Sequence, residues 1–184
     1  MSNSLIQKLV EKGIIQKEEI QIYSFGLECL LLKLITFISY LVIAIIMGKL
    51  KEFAIIMLVF VPLRRSAGGY HAKTRLGCYM VSCIVLIITL FISPINIDKY
   101  MLLILLAVSD IVFWFLSPVD NENKRMEDDE IIHFRTKTRQ IVIVINSIYI
   151  FLMVFGFSQL SKTIILGMIM ALFFLISGKL QKNE

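Results

Sequence analysis

The sequence predicts an all-α, polytopic helical membrane protein with about six transmembrane segments, the second of them short or re-entrant, behind an amphipathic N-terminal segment. Three observations predict it. Of the 184 residues, 58% are hydrophobic and 18% charged, against roughly 45–50% and about 25% in an ordinary soluble domain. A chain this short cannot hide so much apolar surface in one water-soluble core. The apolar residues fall in blocks, and the charges between the blocks are sided. The 9 glycines, 3 prolines and 3 cysteines also exclude a collagen-like, disordered or disulfide-stapled chain.

Residues 1–28 interleave Leu5, Leu9, Ile15, Ile20, Ile22 and Phe25 with Lys8, Glu11, Lys12, Lys17, Glu18 and Glu19. This pattern fits one or two surface helices interrupted at Gly13, leading into the first block. They contain no apolar stretch after a basic start and no small-residue cleavage site, so they do not read as a signal peptide. The apolar blocks are 29–48, 53–63, 78–97, 100–116, 141–157 and 160–178. About 20 apolar residues cross a bilayer core of ~30 Å, and all but 53–63 reach or approach that length. Block two reaches only about half the core at ~1.5 Å per residue. It is a short helix, a tilted helix extended through its polar flank, or a re-entrant segment. The chain shows no internal repeat and reads as one integral membrane domain over 1–184.

If all six blocks cross, residues 1–28, 64–77, 117–140 and 179–184 share one side. They carry 3, 4, 5 and 2 Lys and Arg residues, fourteen in all, against four (Lys49, Lys51, Lys99 and Lys162) in the opposite connections. Cytoplasmic loops collect Lys and Arg, so both termini and the two longer loops are expected in the cytoplasm. The net charge of +5 is then mostly topology. No basic stripe with interleaved aromatics points to nucleic acid. The polar loop 117–140 follows an acidic run, Glu127, Asp128, Asp129 and Glu130, with Arg135, Lys137 and Arg139. It reads as a self-paired solvated loop or short helix, or as a place to hold a peptide at the membrane face.

The segment 64–78, Arg-Arg-Ser-Ala-Gly-Gly-Tyr-His-Ala-Lys-Thr-Arg-Leu-Gly-Cys, is the most unusual. Gly68 and Gly69 permit backbone conformations that other residues resist. His71 is one of two histidines, and Cys78 stands at the mouth of block three. A helix start offers free N–H groups and the positive end of the macrodipole, an environment that favours a thiolate. A neighbouring imidazole serves as general base and then as acid to a leaving amine. Cys78 is therefore the candidate nucleophile and His71 its base. Seven residues apart, they would share a face of a straight helix but lie ~10.5 Å apart along it. The pair works only if the chain between them bends. Cys83 lies deeper in block three, and Cys29 follows the unfavourable charge of Glu28. Neither cysteine pairing nor metal binding is expected, because the face is cytoplasmic and no ligand cluster has metal spacing. Asp110 lies inside block four, where a carboxylate is costly and faces a partner. Lys33, Arg64 or His71 are its candidate partners, and orienting His71 is one role for it beside a structural ion pair or helix contact. Ser66 and Ser82 are lesser helpers. On the residues alone, a cysteine packing in lipid and a basic loop binding headgroups remain alternatives.

Arg64, Gly68, Gly69, His71 and Ala72, with Cys78 seven residues after the histidine, resemble the accessory gene regulator B (AgrB) family over nearly the whole chain. These are bacterial membrane cysteine endopeptidases that process quorum-sensing peptide precursors. The resemblance implies Cys78 as nucleophile, His71 as general base, and Arg64, Gly68 and Gly69 as site-shaping or substrate-binding positions, with no cofactor. It also implies an AgrD-like precursor as partner. Its C-terminal tail would leave as a Cys78 thioester forms, and an internal cysteine or serine would close a thiolactone or lactone. The segment 117–124 looks like the family's Pro-rich, Asn/Lys-containing loop but lacks the proline that follows Asn-Lys in many members. A six-block protomer shields a cytoplasmic-face site poorly, which makes a homodimer a candidate assembly. The alternative function is a small membrane peptide exporter or a peptide-binding scaffold without chemistry, for which Lys33 and Asp110 would mark a pathway.

Overall fold

The computed structural model describes residues 16, 19–70, 74–119 and 127–182. Among them the regular structure is six α-helices, α1 Ile20–Ile46, α2 Leu50–Ala67, α3 Arg75–Ile92, α4 Lys99–Leu116, α5 Asp128–Val154 and α6 Ser158–Lys182. There is also one isolated parallel bridge between Gly68 and Val119. The protein is a polytopic helical membrane protein. Four helices (α1, α4, α5 and α6) are long and apolar enough to cross a bilayer, and α3 holds a shorter apolar run, Leu76–Ile92. The expected amphipathic helices upstream of residue 16 lie outside the described residues.

The chain divides into two compact units, Met1–Ile43 and Ala44–Glu184. In the first, α1 is 27 residues long, ~40 Å at 1.5 Å per residue. It begins at Ile20, upstream of the apolar block at 29–48, because Ile20, Ile22 and Phe25 continue its greasy surface. Most of its large apolar side chains face outward, Ile22, Phe25, Ile35 and Ile38 among them, as expected of a surface in contact with lipid tails.

The second unit is built around α6. Burial runs unbroken along it from Ser161 to Met168, and every residue from 164 to 175 is apolar, which leaves no polar face over those three turns. A helix apolar all round is a buried one. It packs against α2, α3, α4 and α5. The closest approach is to α2, whose inward residues Phe53, Ile56, Val59, Phe60, Leu63 and Ala67 recur at helical spacing. At Gly167 the two backbones come so near that an added Cβ would sit 2.9 Å from Val59 Cβ and 3.2 Å from the Ile56 carbonyl oxygen. Further along, the Phe60 and Phe174 rings meet at 5.7 Å between centroids. These pairs rise together in number, so α2 and α6 run parallel. α5 runs against α4: Asn146 meets Asp110, while Arg139 lies over Trp114, 4.3 Å from its ring centroid.

Local chemistry explains where the helices start and stop. Gly48 adopts φ 64°. Its N–H donates to the Ile45 carbonyl at 3.0 Å, and the Lys49 N–H donates to the Ala44 carbonyl at 2.9 Å. This double bond is a Schellman stop. Gly156 (φ 80°) ends α5 in the same way. Asp98 caps α4 by accepting the Tyr100 N–H at 2.9 Å, and Thr74 caps α3. Asp128, Asp129 and Glu130 occupy the first turn of α5, where negative charge meets the positive dipole end. The polar stretch expected at 117–140 is therefore divided: its second half, from Asp128 on, is the opening of a long helix.

Block two is not a hairpin that dips in and returns. It is the middle of α2, a continuous helix of 18 residues, ~27 Å long, with Lys51 and Glu52 near one end and Arg64 and Arg65 near the other. Pro62 lies inside it, and Ser66 Oγ donates to the Pro62 carbonyl at 2.9 Å. The C-terminal ends of α2, α4 and α6 and the start of α3 gather at one end of this unit. At the other end the Lys162 ammonium donates to the Ile95 carbonyl at 3.0 Å in the α3–α4 connection.

Candidate functional site

The chain leaves α2 at Ala67 and crosses the gathered helix ends as a short strap, residues 68–70. Gly68 (φ 74°) and Gly69 (φ 121°) both take backbone conformations that side chains resist. The strap is held on two sides. Toward α4, the Val119 N–H donates to the Ala67 carbonyl at 2.9 Å, just past the cis Ser117-Pro118 peptide, and a Cβ on Gly68 would overlap the Val119 carbonyl. Toward α6, the Tyr70 N–H donates to the Phe174 carbonyl at 2.7 Å, and a Cβ on Gly69 would sit 2.5 Å from that same oxygen.

Arg64 closes the strap from below. One guanidinium nitrogen donates to the Gly68 carbonyl and another to the Tyr70 carbonyl, while the group lies 5.5 Å from the Phe174 ring centroid. The planar fork suits this task because it presents several donors in fixed directions. One helix end thus carries its own cation to bind the carbonyls of the turn that follows. Arg65, next in sequence, is exposed.

Three residues beyond Tyr70 lie outside the described residues: His71, Ala72 and Lys73. Description resumes at Thr74, whose backbone is extended (φ −118°, ψ 144°) and whose Oγ1 accepts the Gly77 N–H at 3.1 Å. The helix carrying Cys78 therefore begins at Arg75 and does not run back to His71 as one straight rod. Cys78 falls in the first turns of α3, with its N–H donating to the Thr74 carbonyl at 3.1 Å. Its thiol is free and half-buried. Cys83, also free, stands about 7.5 Å further along the same helix. The position of His71 relative to Cys78 belongs to the undescribed stretch.

Asp110 has a different neighbour from those expected. Its Oδ2 accepts from Asn146 Nδ2 at 2.8 Å. The pair joins α4 to α5 about two turns, or ~10.5 Å, below Ser117 at the strap end. Arg64, one of its candidate partners, serves the strap carbonyls instead. Ser66 is buried and bonds back into its own helix. Among the described residues no group of three or more His, Cys, Asp or Glu side chains converges as a metal site would require.

Sequence reasoning missed the other half of the clamp. Phe174 acts through its carbonyl, which any residue carries. Gly178, at the end of block six, packs against the strap backbone, with an added Cβ only 2.7 Å from Gly69 Cα. A glycine spaced eleven residues after Gly167, on the same side of α6, was the only signal for it. Asn146 is the other omission, because a single amide inside block five has no pattern around it.

Known proteins place this arrangement. The family model for accessory gene regulator B matches residues 2–175. The chain is 26% identical over 167 residues to an AgrB-like protein of Clostridium perfringens (strain 13 / Type A), covering 88% of this chain and 86% of that one. It is 27% identical over 88 residues to Protein FsrB of Enterococcus faecalis (strain ATCC 47077 / OG1RF), covering 46% of this chain and 36% of FsrB's length. No solved structure matches. With its model matched from residue 2 to residue 175, this chain belongs to the accessory gene regulator B family.

Proposed function

We propose that this protein is a membrane-embedded cysteine endopeptidase that removes the C-terminal tail of an AgrD-like autoinducer precursor and leaves the remainder poised to cyclise. The observation that carries the proposal is Cys78 in the opening of a capped helix, four residues after its Thr74 cap and eight after an end-of-bundle strap that the Arg64 fork locks. A precursor lying on the inner leaflet would reach that end of the bundle if it faces the cytoplasm, as the fourteen-to-four charge bias favours.

The chemistry balances without a cofactor. Cys78 sulfur, as thiolate, attacks the carbonyl carbon of the amide that joins signal to tail. The C–N bond breaks, and the tail leaves as an amine that takes its proton from the His71 imidazolium. A thioester joins Cys78 to the new C-terminus of the signal. A thiol or hydroxyl inside the signal, deprotonated by the same imidazole, then attacks that thioester and frees Cys78. The product is a thiolactone or lactone. The second step exchanges one activated acyl bond for another of similar energy. The first converts an amide to a thioester and runs uphill, so loss of the tail must draw it forward. Holding the internal nucleophile close and water away favours closure over hydrolysis.

The test uses the full chain in lipid nanodiscs with a synthetic precursor. Intact-mass spectrometry should show a protein adduct equal in mass to the precursor minus the released tail peptide. Cys78→Ala should lose both adduct and tail release. His71→Ala should lose tail release at neutral pH, a general base being worth ~10²–10⁴-fold. Tail release by Cys78→Ala would refute the nucleophile, and absence of tail release and adduct in wild type would leave the peptide-exporter or scaffold role standing.

A further inference from the structure

The geometry points to Gly178, together with the Phe174 carbonyl, as the positioning element that seats the strap leading to the reactive segment. This inference rests on the proposed peptidase function. It reaches a part of the chain beyond the family match, which stops at residue 175.

The strap has no side chains with which to anchor itself at Gly68 and Gly69. Besides the Arg64 fork it is held by backbone contacts, and the α6 contacts come from one turn of that helix. The Phe174 carbonyl accepts the Tyr70 N–H at 2.7 Å. One turn later, Gly178 presents bare backbone to the strap. An added Cβ there would overlap Gly69 C and Tyr70 N and lie 2.7 Å from Gly69 Cα. Nothing flexible stands in that contact: both partners are main chain. Even alanine must lift the strap or push α6 aside. Lifting the strap breaks the Tyr70 N–H bond and takes the Tyr70 carbonyl from Arg64. The chain continues from Tyr70 into His71, the proposed base, so the strap is the seat from which the reactive segment departs and its displacement is expected to lower the rate. Misplacement of a reacting group by about 1 Å can cost about 10²-fold in rate.

The inference separates Gly178 from ordinary packing glycines. Gly26 has nothing within 4 Å of an added Cβ and no positive φ, so Gly26→Ala serves as the neutral control. Gly167 packs on a side chain, Val59, and reports helix packing alone.

The experiment compares wild type, Gly178→Ala, His71→Ala and the double variant in nanodiscs, reading kcat and KM for tail release. Gly178→Ala should lower kcat about 100-fold and leave KM within twofold. In the double variant it should add little to His71→Ala, because an imidazole already absent cannot be misplaced. Amide hydrogen exchange read by mass spectrometry should show the peptide containing Tyr70 losing protection in Gly178→Ala and keeping it in Gly26→Ala. Wild-type kcat with unchanged protection in Gly178→Ala overturns the inference. So does a full additional loss in the double variant, which would mark general destabilisation. If Gly178→Ala does not fold, Gly69→Ala loads the same turn of α6 from the strap side, its Cβ meeting the Phe174 carbonyl rather than Gly178, and exchange at Tyr70 is read in the same way. Should Cys78→Ala cleave normally, the cysteine-nucleophile proposal fails, and exchange at Tyr70 still decides whether Gly178 seats the strap.

Discussion

Replacing Arg64 by lysine keeps the charge and removes the fork. In the native arrangement two guanidinium nitrogens hold the Gly68 and Tyr70 carbonyls at once, with the cation beside the Phe174 ring. A hydrogen bond to a charged group contributes about 1.5–3 kcal/mol, and a part-exposed cation–π contact about 0.5–1 kcal/mol. An ammonium on a flexible stem is a point donor and does not reproduce two parallel bonds. Arg64→Lys should therefore lose about one bond, 1.5–3 kcal/mol of strap docking. At about 1.4 kcal/mol per factor of ten, the docked population and the rate of tail release fall together by about 10- to 100-fold. Arg64→Ala removes both bonds, about 3–6 kcal/mol. That is comparable to a whole domain's stability of about 5–15 kcal/mol, so this variant should also lower the thermal midpoint. The assay is the initial rate of tail release at low precursor in nanodiscs, with thermal unfolding of the same samples. Arg64→Lys with a rate within twofold of wild type would refute the reasoning, because the fork would then be irrelevant to the strap. Equal losses in the lysine and alanine variants would show that the geometry of the fork is the whole effect.

Three further outcomes follow from the helix ends and the buried pair. Thr74→Ala removes the cap that receives the Gly77 N–H and should cost about 1 kcal/mol of α3's first turn. Thr74→Ser should keep it, and amide exchange over residues 75–78 separates the two. Asp110→Asn should retain tail release and change stability by about 0.6 kcal/mol, the average for a polar contact between membrane helices. Loss of release with the fold intact would give Asp110 a role in orienting the site. In a background with Cys29, Cys78 and Cys83 replaced, single cysteines at Lys51 and Thr74, both exposed, should react with an impermeant thiol reagent from opposite sides of the membrane. Labelling from one side would mean that α2 does not cross.

Local signals carried a good part of the site. The glycine pair and the basic end of block two each have a physical meaning within a few residues, and each appears in the fold. Block two was ambiguous because length was counted on apolar residues alone. Backbone hydrogen bonding continues through Lys51, Glu52, Arg64 and Arg65, so the helix is longer than its greasy middle. The boundary of α1 was drawn late for the same reason: Glu28 was weighed as an end, whereas one carboxylate in a helix of 27 residues does not stop it. Asp110 was paired with cations because opposite charge is the only partner that a sequence advertises. An amide at Asn146 satisfies one of its oxygens without advertising itself.

The sequence by itself determined that this is a helical membrane chain, that its charges cluster between apolar blocks, and that one short segment holds the unusual residues. Composition and periodicity report those properties because they depend on solvent and on neighbours a turn away. Only the tertiary structure decided what that segment rests on. Its seats are the main chain at Val119, Phe174 and Gly178, some 50 to 110 residues distant. A carbonyl, an N–H or a missing side chain at a helix end becomes specific only when the ends of α2, α4 and α6 meet.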